Sequence, residues 1–200
     1  QYWSGGSTLF ANVSKFENPF NFDYKSESRE SWGNRPWIQY RNTLADAKLK
    51  VKLGAEVHSG NNNARNYQND GGVRDTLNFE DEIEIRNRSA YLVSDIELPG
   101  QIFINAGLSY NLVKFAVNRV ATKENGVDPT LVSKDFEPKL VPRIGLAKKL
   151  NLYTTVHGNI SGGFSPPTLE EFRTNDGELN EDLEPETGIN YEIGIRGNSQ

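Results

Sequence analysis

The chain has 200 residues, a net charge of −5, 36% hydrophobic residues and a mean hydropathy of −0.65. No run approaches eighteen apolar residues, which excludes a transmembrane helix, and the acidic balance gives no footing for nucleic acid, which favours a basic patch. Without cysteine there is no disulfide framework, thiolate metal site or redox motif.

The chain opens on Gln1-Tyr2-Trp3-Ser4 without the basic-then-apolar pattern of a signal peptide, as a mature form or a piece of a larger protein would. Period-two alternation then predicts strands over 7–16 and 36–45. The loop 17–35 ends where Trp32, Arg35 and Trp37 stand close together in sequence. A short turn, Leu44-Ala45-Asp46-Ala47, leads into a strand over 47–59. There Leu49, Val51, Leu53, Ala55 and Val57 share one face, and Lys48, Lys50, Lys52, Glu56 and His58 the other. The loop 60–81 carries Arg65, Tyr67 and Arg74; its Asp70 and Asp75 lack the spacing and closing Glu of a calcium loop. A strand over 82–97 follows, with Asn87 and Ser89 interrupting its apolar face. The turn Leu98-Pro99-Gly100-Gln101 enters a strand over 101–117 that groups Ile102, Ile104, Ala106, Leu108, Tyr110 and Leu112. Beyond the loop 118–138 come strands over 139–149 and 151–162, joined by Lys149-Leu150-Asn151-Leu152. The loop 163–182, with Phe172 and Arg173, precedes a last strand over 186–196.

Short turns therefore alternate with long polar loops. That asymmetry predicts an all-β fold, an antiparallel up-and-down transmembrane β-barrel wall of about eight strands. The strands also exceed the usual five or six residues. A tilted crossing needs only about 9–11, so the excess would project beyond the membrane. A soluble sheet with one wet face alternates in the same way, and eight strands is the smallest usual closed barrel. A non-transporting β-sheet binding module and a complete eight-stranded outer-membrane barrel therefore stand as alternatives.

The C-terminal third carries three ordered motifs. Pro142, Arg143, Gly145 and Leu146 come first; Gly163, Phe164, Pro167, Thr168, Leu169 and Glu171 follow; Leu183, Pro185, Glu186, Asn190, Tyr191, Glu192 and Gly194 complete them. In order and spacing these resemble the barrel domain of TonB-dependent outer-membrane receptors, over 89–197 by motif and over 1–88 by pattern only. The resemblance implies a barrel of twenty-two strands, with a plug domain and a segment that contacts TonB. It also implies location in the outer membrane and uptake of a chelated nutrient, most often a ferric siderophore. Residues 1–200 would then be part of the barrel domain. The plug, the TonB contact and the C-terminal strands, which end in an aromatic residue in the family, would lie outside this chain.

Implied partners are the TonB complex through that plug segment, outer-membrane lipid and a small-molecule chelate. Arginine offers carboxylate or catecholate oxygens a planar fork, and aromatics give rigid contact area. Trp32, Arg35, Tyr67, Arg74 and Arg173 are therefore the candidate ligand-binding residues, although Trp32 and Trp37 also suit an interfacial aromatic girdle. His58 and His157 take the polar parity with no second ligand at a spacing that fixes a metal. The resemblance disfavours haem as well: haem-uptake members of the family carry a histidine between the stretches equivalent to Phe164-Ser165-Pro166-Pro167 and Asn180-Glu181-Asp182-Leu183, and none lies there in this sequence. No phosphate cradle, nucleophile elbow or catalytic carboxylate pair is present, so neither an enzyme nor a cofactor is expected. Thr168 and Glu171 have capping-box spacing.

Overall fold

The computed structural model describes residues 2–123, 130–168, 171, 180 and 182–197. Among them nine strands form one antiparallel sheet: β1 Tyr2–Pro19, β2 Asp23–Leu44, β3 Ala47–Asp70, β4 Val73–Leu98, β5 Ile102–Thr122, β6 Thr130–Asp135, β7 Lys139–Lys149, β8 Thr154–Ser165 and β9 Glu186–Gly197. Neighbours follow sequence order, except that β6 and β7 share β5 as partner. They are two halves of one wall strand. Lys114 pairs with Asp135, and Asn111 with Lys139, so residues 112–113 of β5 face the longer stretch 136–138. That extra residue is a β-bulge. It falls beside Pro138, which has no N–H to give the ladder, while the Phe136 N–H donates to the Val113 carbonyl at 3.0 Å. Among the described residues the sheet is open, β1 and β9 each pairing along one edge only.

The expected loops 17–35 and 60–81 are strand almost throughout. β1 and β2 turn back at residues 20–22; β3 and β4 do so at Gly71-Gly72, whose φ values of 59° and 94° suit a two-residue hairpin turn. Their polar composition reads as loop because even buried inward positions such as Asn62, Ala64 and Asn66 carry no large apolar side chain, so there is no apolar period to detect. Part of 118–138 is strand as well: β5 runs on to Thr122 and β6 occupies Thr130–Asp135. The strand expected from 151 starts instead at Thr154. The Asn151 side chain accepts the N–H groups of Tyr153 and Thr154, both at 2.8 Å, and holds 151–153 as a turn.

Register fixes which residues share a face, and the faces exchange character partway along. On β5, Ile102 to Leu112 form the apolar outward set, while Asn105, Ser109 and Asn111 face the other way. Above that point Lys114 and Asn118 point outward, and Val113, Phe115 and Val117 point inward. β4 inverts at the same level, from outward Leu98, Ile96, Leu92 and Ala90 to outward Arg88, Arg86, Glu84 and Glu82. Asn87 and Ser89 therefore sit on the polar face of β4, not on its apolar one. Their partners Val113 and Asn111 lie on the inward side of β5. An outer surface that is apolar for about nine to eleven residues and charged beyond is what a strand leaving the hydrocarbon layer requires.

The buried core lies above that level, on the inward face. Ala64, Ile83, Val113, Phe115, Val117, Val132 and Phe136 form it, with Phe164 and Leu183 packed against it. Phe115 and Phe136 meet edge to face, with ring centroids 5.4 Å apart. Asp81, fully buried, accepts from Arg119 through both oxygens, at 2.8 and 3.1 Å, and Arg119 stacks over Phe79. Fork-to-fork geometry of this kind satisfies a carboxylate that water cannot reach.

Candidate functional site

Below the core, the inward face curls around a concavity of about 960 Å³. Its polar wall follows from the register. Lys48 lies opposite Glu97 and bonds it at 3.1 Å, and Lys50 lies opposite Asp95 and bonds it at 2.6 Å. Asn105, on the next strand, donates to the other Asp95 oxygen. Arg41 and Arg143 complete the cationic lining, and beside them His157 Nε2 stands 3.5 Å from Glu192. Asn159 donates to that same carboxylate at 2.8 Å.

Large inward side chains lie flat across glycines on the neighbouring strand. Tyr91 covers Gly54, Phe10 covers Gly33, Trp37 covers Gly6, Arg143 covers Gly107 and His157 covers Gly194. A Cβ on Gly54 would stand 2.4 Å from the Tyr91 ring, and one on Gly194 would stand 2.6 Å from the His157 ring. These glycines are seats: without a side chain of their own they let a neighbour fold down onto the wall. Sequence reading noted Gly194 alone among these glycines, and not its occupant. The signal was a glycine on the polar parity directly across from a large residue, and only register reveals it.

At the far end the two long hairpins are tied together at their tips. Arg74 lies over the rings of Tyr24 and Tyr67, 5.8 Å from each centroid, and 3.5 Å from Glu17. The Tyr24 hydroxyl donates to Glu17, and Asn69 donates to the Phe20 carbonyl at 2.6 Å. Lower on the same hairpin, Arg65 meets Glu80 at 2.9 Å, and Asn63 bonds that carboxylate too. Partial burial pushes the Glu80 carboxyl up, but those two donors outweigh it and hold it below the usual carboxylate range.

Of the candidate ligand residues, Tyr67 and Arg74 are brought together at this tip. Arg35 is elsewhere, on the inward face of β2, bonded to Glu56 at 2.6 Å and lying over Phe10. Trp32, three residues away and so of opposite parity, projects outward and is 57% exposed. Trp37 points inward beneath Lys52. Arg173 and Leu169 lie outside the described residues. Thr168 and Glu171 do form the capping-box contacts. The Thr168 N–H donates to the Glu171 carboxylate at 2.7 Å, the Glu171 N–H to Thr168 Oγ at 3.3 Å, and the carboxyl is held low by the first bond above all. Pro185 stands immediately before β9, where its missing N–H costs no ladder bond. Glu186, Glu192 and Arg196 take the inward parity of β9, away from Ile189, Tyr191 and Ile193. Among the described residues no cluster of three or more His, Asp or Glu could hold a metal ion.

The model of the TonB dependent receptor-like β-barrel family matches residues 1–200. Among solved structures, the fold is similar to the ferric citrate transporter FecA in its unliganded form, with TM-score 0.75 and 13% identity over 98% of this chain and 29% of that one. It is similar to the alcaligin outer membrane receptor FauA from Bordetella pertussis, with TM-score 0.74 and 15% identity over 98% of this chain and 31% of that one. The ferric yersiniabactin uptake receptor FyuA from Yersinia pestis matches at TM-score 0.68 and 12% identity, again over 98% and 31%. No match was found among curated protein sequences. The chain spans under a third of each of these receptors. With the family model matched from the first residue to the last, the chain belongs to the TonB dependent receptor-like β-barrel family.

Proposed function

We propose that this chain is a section of the barrel wall of an outer-membrane receptor that takes up a chelated nutrient, with a ferric siderophore the leading class. The observation that carries the reading is the inversion of the two faces at Arg88 and Leu112, which divides β4 and β5 each into a lipid-facing part and a water-facing part. Family membership supports the receptor role. The names of FecA, FauA and FyuA support an iron chelate as cargo. On this reading the short turns at 45–46, 99–101 and 150–153 face the periplasm, and the long hairpins stand outside. Tyr67 and Arg74 belong to the ligand-receiving mouth, with Arg35 deeper in the bore and Arg173 on the β8–β9 connection. A plug domain, fitted to the polar concavity, takes the pull of TonB. The chain's own residues perform no chemistry; they bind, line and exclude.

The test is uptake of ferric citrate, a ferric hydroxamate and a ferric catecholate by iron-starved cells, with and without the full-length receptor and with and without TonB. One chelate should enter only when both are present. Uptake of all three independent of the receptor would overturn the reading.

A further inference from the structure

Charge on the inner wall is balanced almost row by row along the ladder. One inward row holds Arg41 and Lys50 with Asp95 and Glu192, and the next toward the short turns holds Lys48 with Glu97. On the other side Arg35 bonds Glu56, and the row of Trp37, Gly54, Tyr91 and Ser109 bears no charge. One row between them departs from this rule. Running from Gln39 through Lys52, Val93, Gly107 and Arg143 to Ser161, it carries two cations and no carboxylate.

Neighbouring rows do not answer these cations. Asp95, on the adjoining row, has one oxygen on Lys50 at 2.6 Å and the other on Asn105, so Arg143 reaches it only as a charge at longer range. Glu56 is held by Arg35 at 2.6 Å. Among the described residues Arg143 makes no hydrogen bond or ion pair, and Lys52 keeps only the Trp37 ring, 4.6 Å from its ammonium group. Both heads lie against the wall, Arg143 across Gly107 and Lys52 over Trp37. Their strands are three spacings apart, about 14 Å, and the bend of Arg143 toward β5 shortens that gap. A cation that grips a domain filling the bore must extend from the wall. One laid flat leaves the passage open while its field still crosses it.

We propose that Lys52 and Arg143 form a transit subsite in the bore that selects cargo by charge. It takes a ferric chelate of net negative charge, built on catecholate or carboxylate oxygens, in preference to a neutral trihydroxamate chelate. Arg143 offers paired oxygens its planar fork and Lys52 a point charge. Because the rows beneath are balanced, the attraction is confined to one level, which favours passage over retention. The subsite acts once the plug has moved, so it governs the rate of entry and not capture at the mouth. The inference rests on the uptake reading above and narrows its cargo.

The test uses the full-length receptor as the sole chelate receptor of iron-starved cells, as wild type, K52Q/R143Q and the charge-conserving K52R/R143K. Probes are radioiron-labelled ferric tris-catecholate and ferric citrate, both anionic, and a neutral ferric trihydroxamate. Binding in the cold and energised uptake are each normalised to receptor at the cell surface. Wild type should import one of the anionic chelates at least about fivefold faster than the trihydroxamate, a modest share of what focused fields give. K52Q/R143Q should slow that uptake at least about fivefold and leave cold binding within about twofold, while K52R/R143K keeps both. Unchanged uptake by K52Q/R143Q overturns the subsite, as does preference of wild type for the trihydroxamate or equal loss in K52R/R143K. A parallel fall in cold binding also overturns it, by moving the cations' role to capture. Resting conductance of purified receptor in planar bilayers is measured alongside. Conductance that appears only in K52Q/R143Q shows that the cations hold the plug, and it overturns the transit role. If no probe enters through wild type, the uptake reading falls and takes this inference with it; if one enters and the substitutions do not matter, only this inference fails.

Discussion

Gly54→Ala tests the seating of side chains on the inner wall. The Cβ it adds would stand 2.4 Å from the Tyr91 ring, and the three nearest atoms all belong to that side chain. The ring must retreat by about 1 Å to reach ordinary contact, or swing off the wall altogether. Overpacking of this kind costs roughly 1–3 kcal/mol. In the absence of Tyr91 the sign should reverse, because alanine is better than glycine inside a strand by about 0.5–1 kcal/mol. Gly54→Ala should thus destabilise wild type and stabilise Tyr91→Ala, giving a coupling of about 2–3 kcal/mol. Gly33 supplies the control. Its added Cβ would meet the Phe10 ring at 2.2 Å and the Val57 carbonyl at 2.7 Å, and a backbone atom cannot swing aside. Phe10→Ala should therefore rescue Gly33→Ala only in part. The measurement is urea unfolding of full-length protein from phospholipid vesicles. Equal cost of Gly54→Ala with and without Tyr91 would refute the seat.

The remaining predictions follow from the external part and the turns. Asp81→Asn should cost about 3 kcal/mol in the same assay, the low end for a broken buried pair because Arg119 keeps its Phe79 stack; a cost under about 0.5 kcal/mol would contradict it. The Glu80 carboxyl is held low in the folded state, so its contribution is complete above the unfolded value of about 4.3 and fades as pH falls through the lower folded value. The gap between wild type and Glu80→Gln in urea midpoint should accordingly be present at pH 6 and shrink by pH 3, and a gap that widens in acid would reverse the sign. Ala45 sits at φ 51° in the β2–β3 turn; Asn tolerates that region better, so Ala45→Asn should gain up to about 1 kcal/mol, and a loss would argue against the turn. Spin labels at positions 51 and 52 should differ in a bilayer, with 51 the more accessible to a lipid-soluble quencher; the opposite order would invert the register.

How much of this was legible in the sequence depends on how many solvents each stretch meets. Strands 47–59, 101–117 and 186–196 could be read because through most of their length one face is apolar and the other polar, which is the case period-two alternation detects. The hairpin extensions 23–35 and 60–70 escaped because they are polar on both faces, even at the buried inward positions Asn62 and Asn66, and Asn, Ser and Arg look the same in strand and loop. The break between β6 and β7 escaped for a different reason. Pro138 was visible, but its role needs β5 as partner to show the extra residue. Trp32 and Arg35 could have been separated at once, since an odd spacing puts two strand residues on opposite faces. The inversion itself was present in the text of β5. Leu112 is followed on its own parity by Lys114, and Asn111 on the other parity by Val113.

The inner wall also bears on how wide the complete barrel is. A closed barrel of eight strands has an interior just wide enough for its own side chains to fill, so large residues there must reach inward and meet across the bore. This wall does the reverse. Tyr91, Phe10, Trp37, Arg143 and His157 each lie down on a cross-strand glycine, which thins the wall and leaves the concavity open beside Lys50, Asp95 and Asn105. Only above the level of Arg88 and Leu112 does the inner face thicken, where Phe115, Val117 and Phe136 pack under Leu183 and Lys134 holds Glu184 at 3.1 Å. A wall thinned below that level and thickened above it suits a wide bore filled by something other than the wall itself. The glycine seats therefore favour the large-barrel reading over the eight-stranded one on physical grounds independent of the family match.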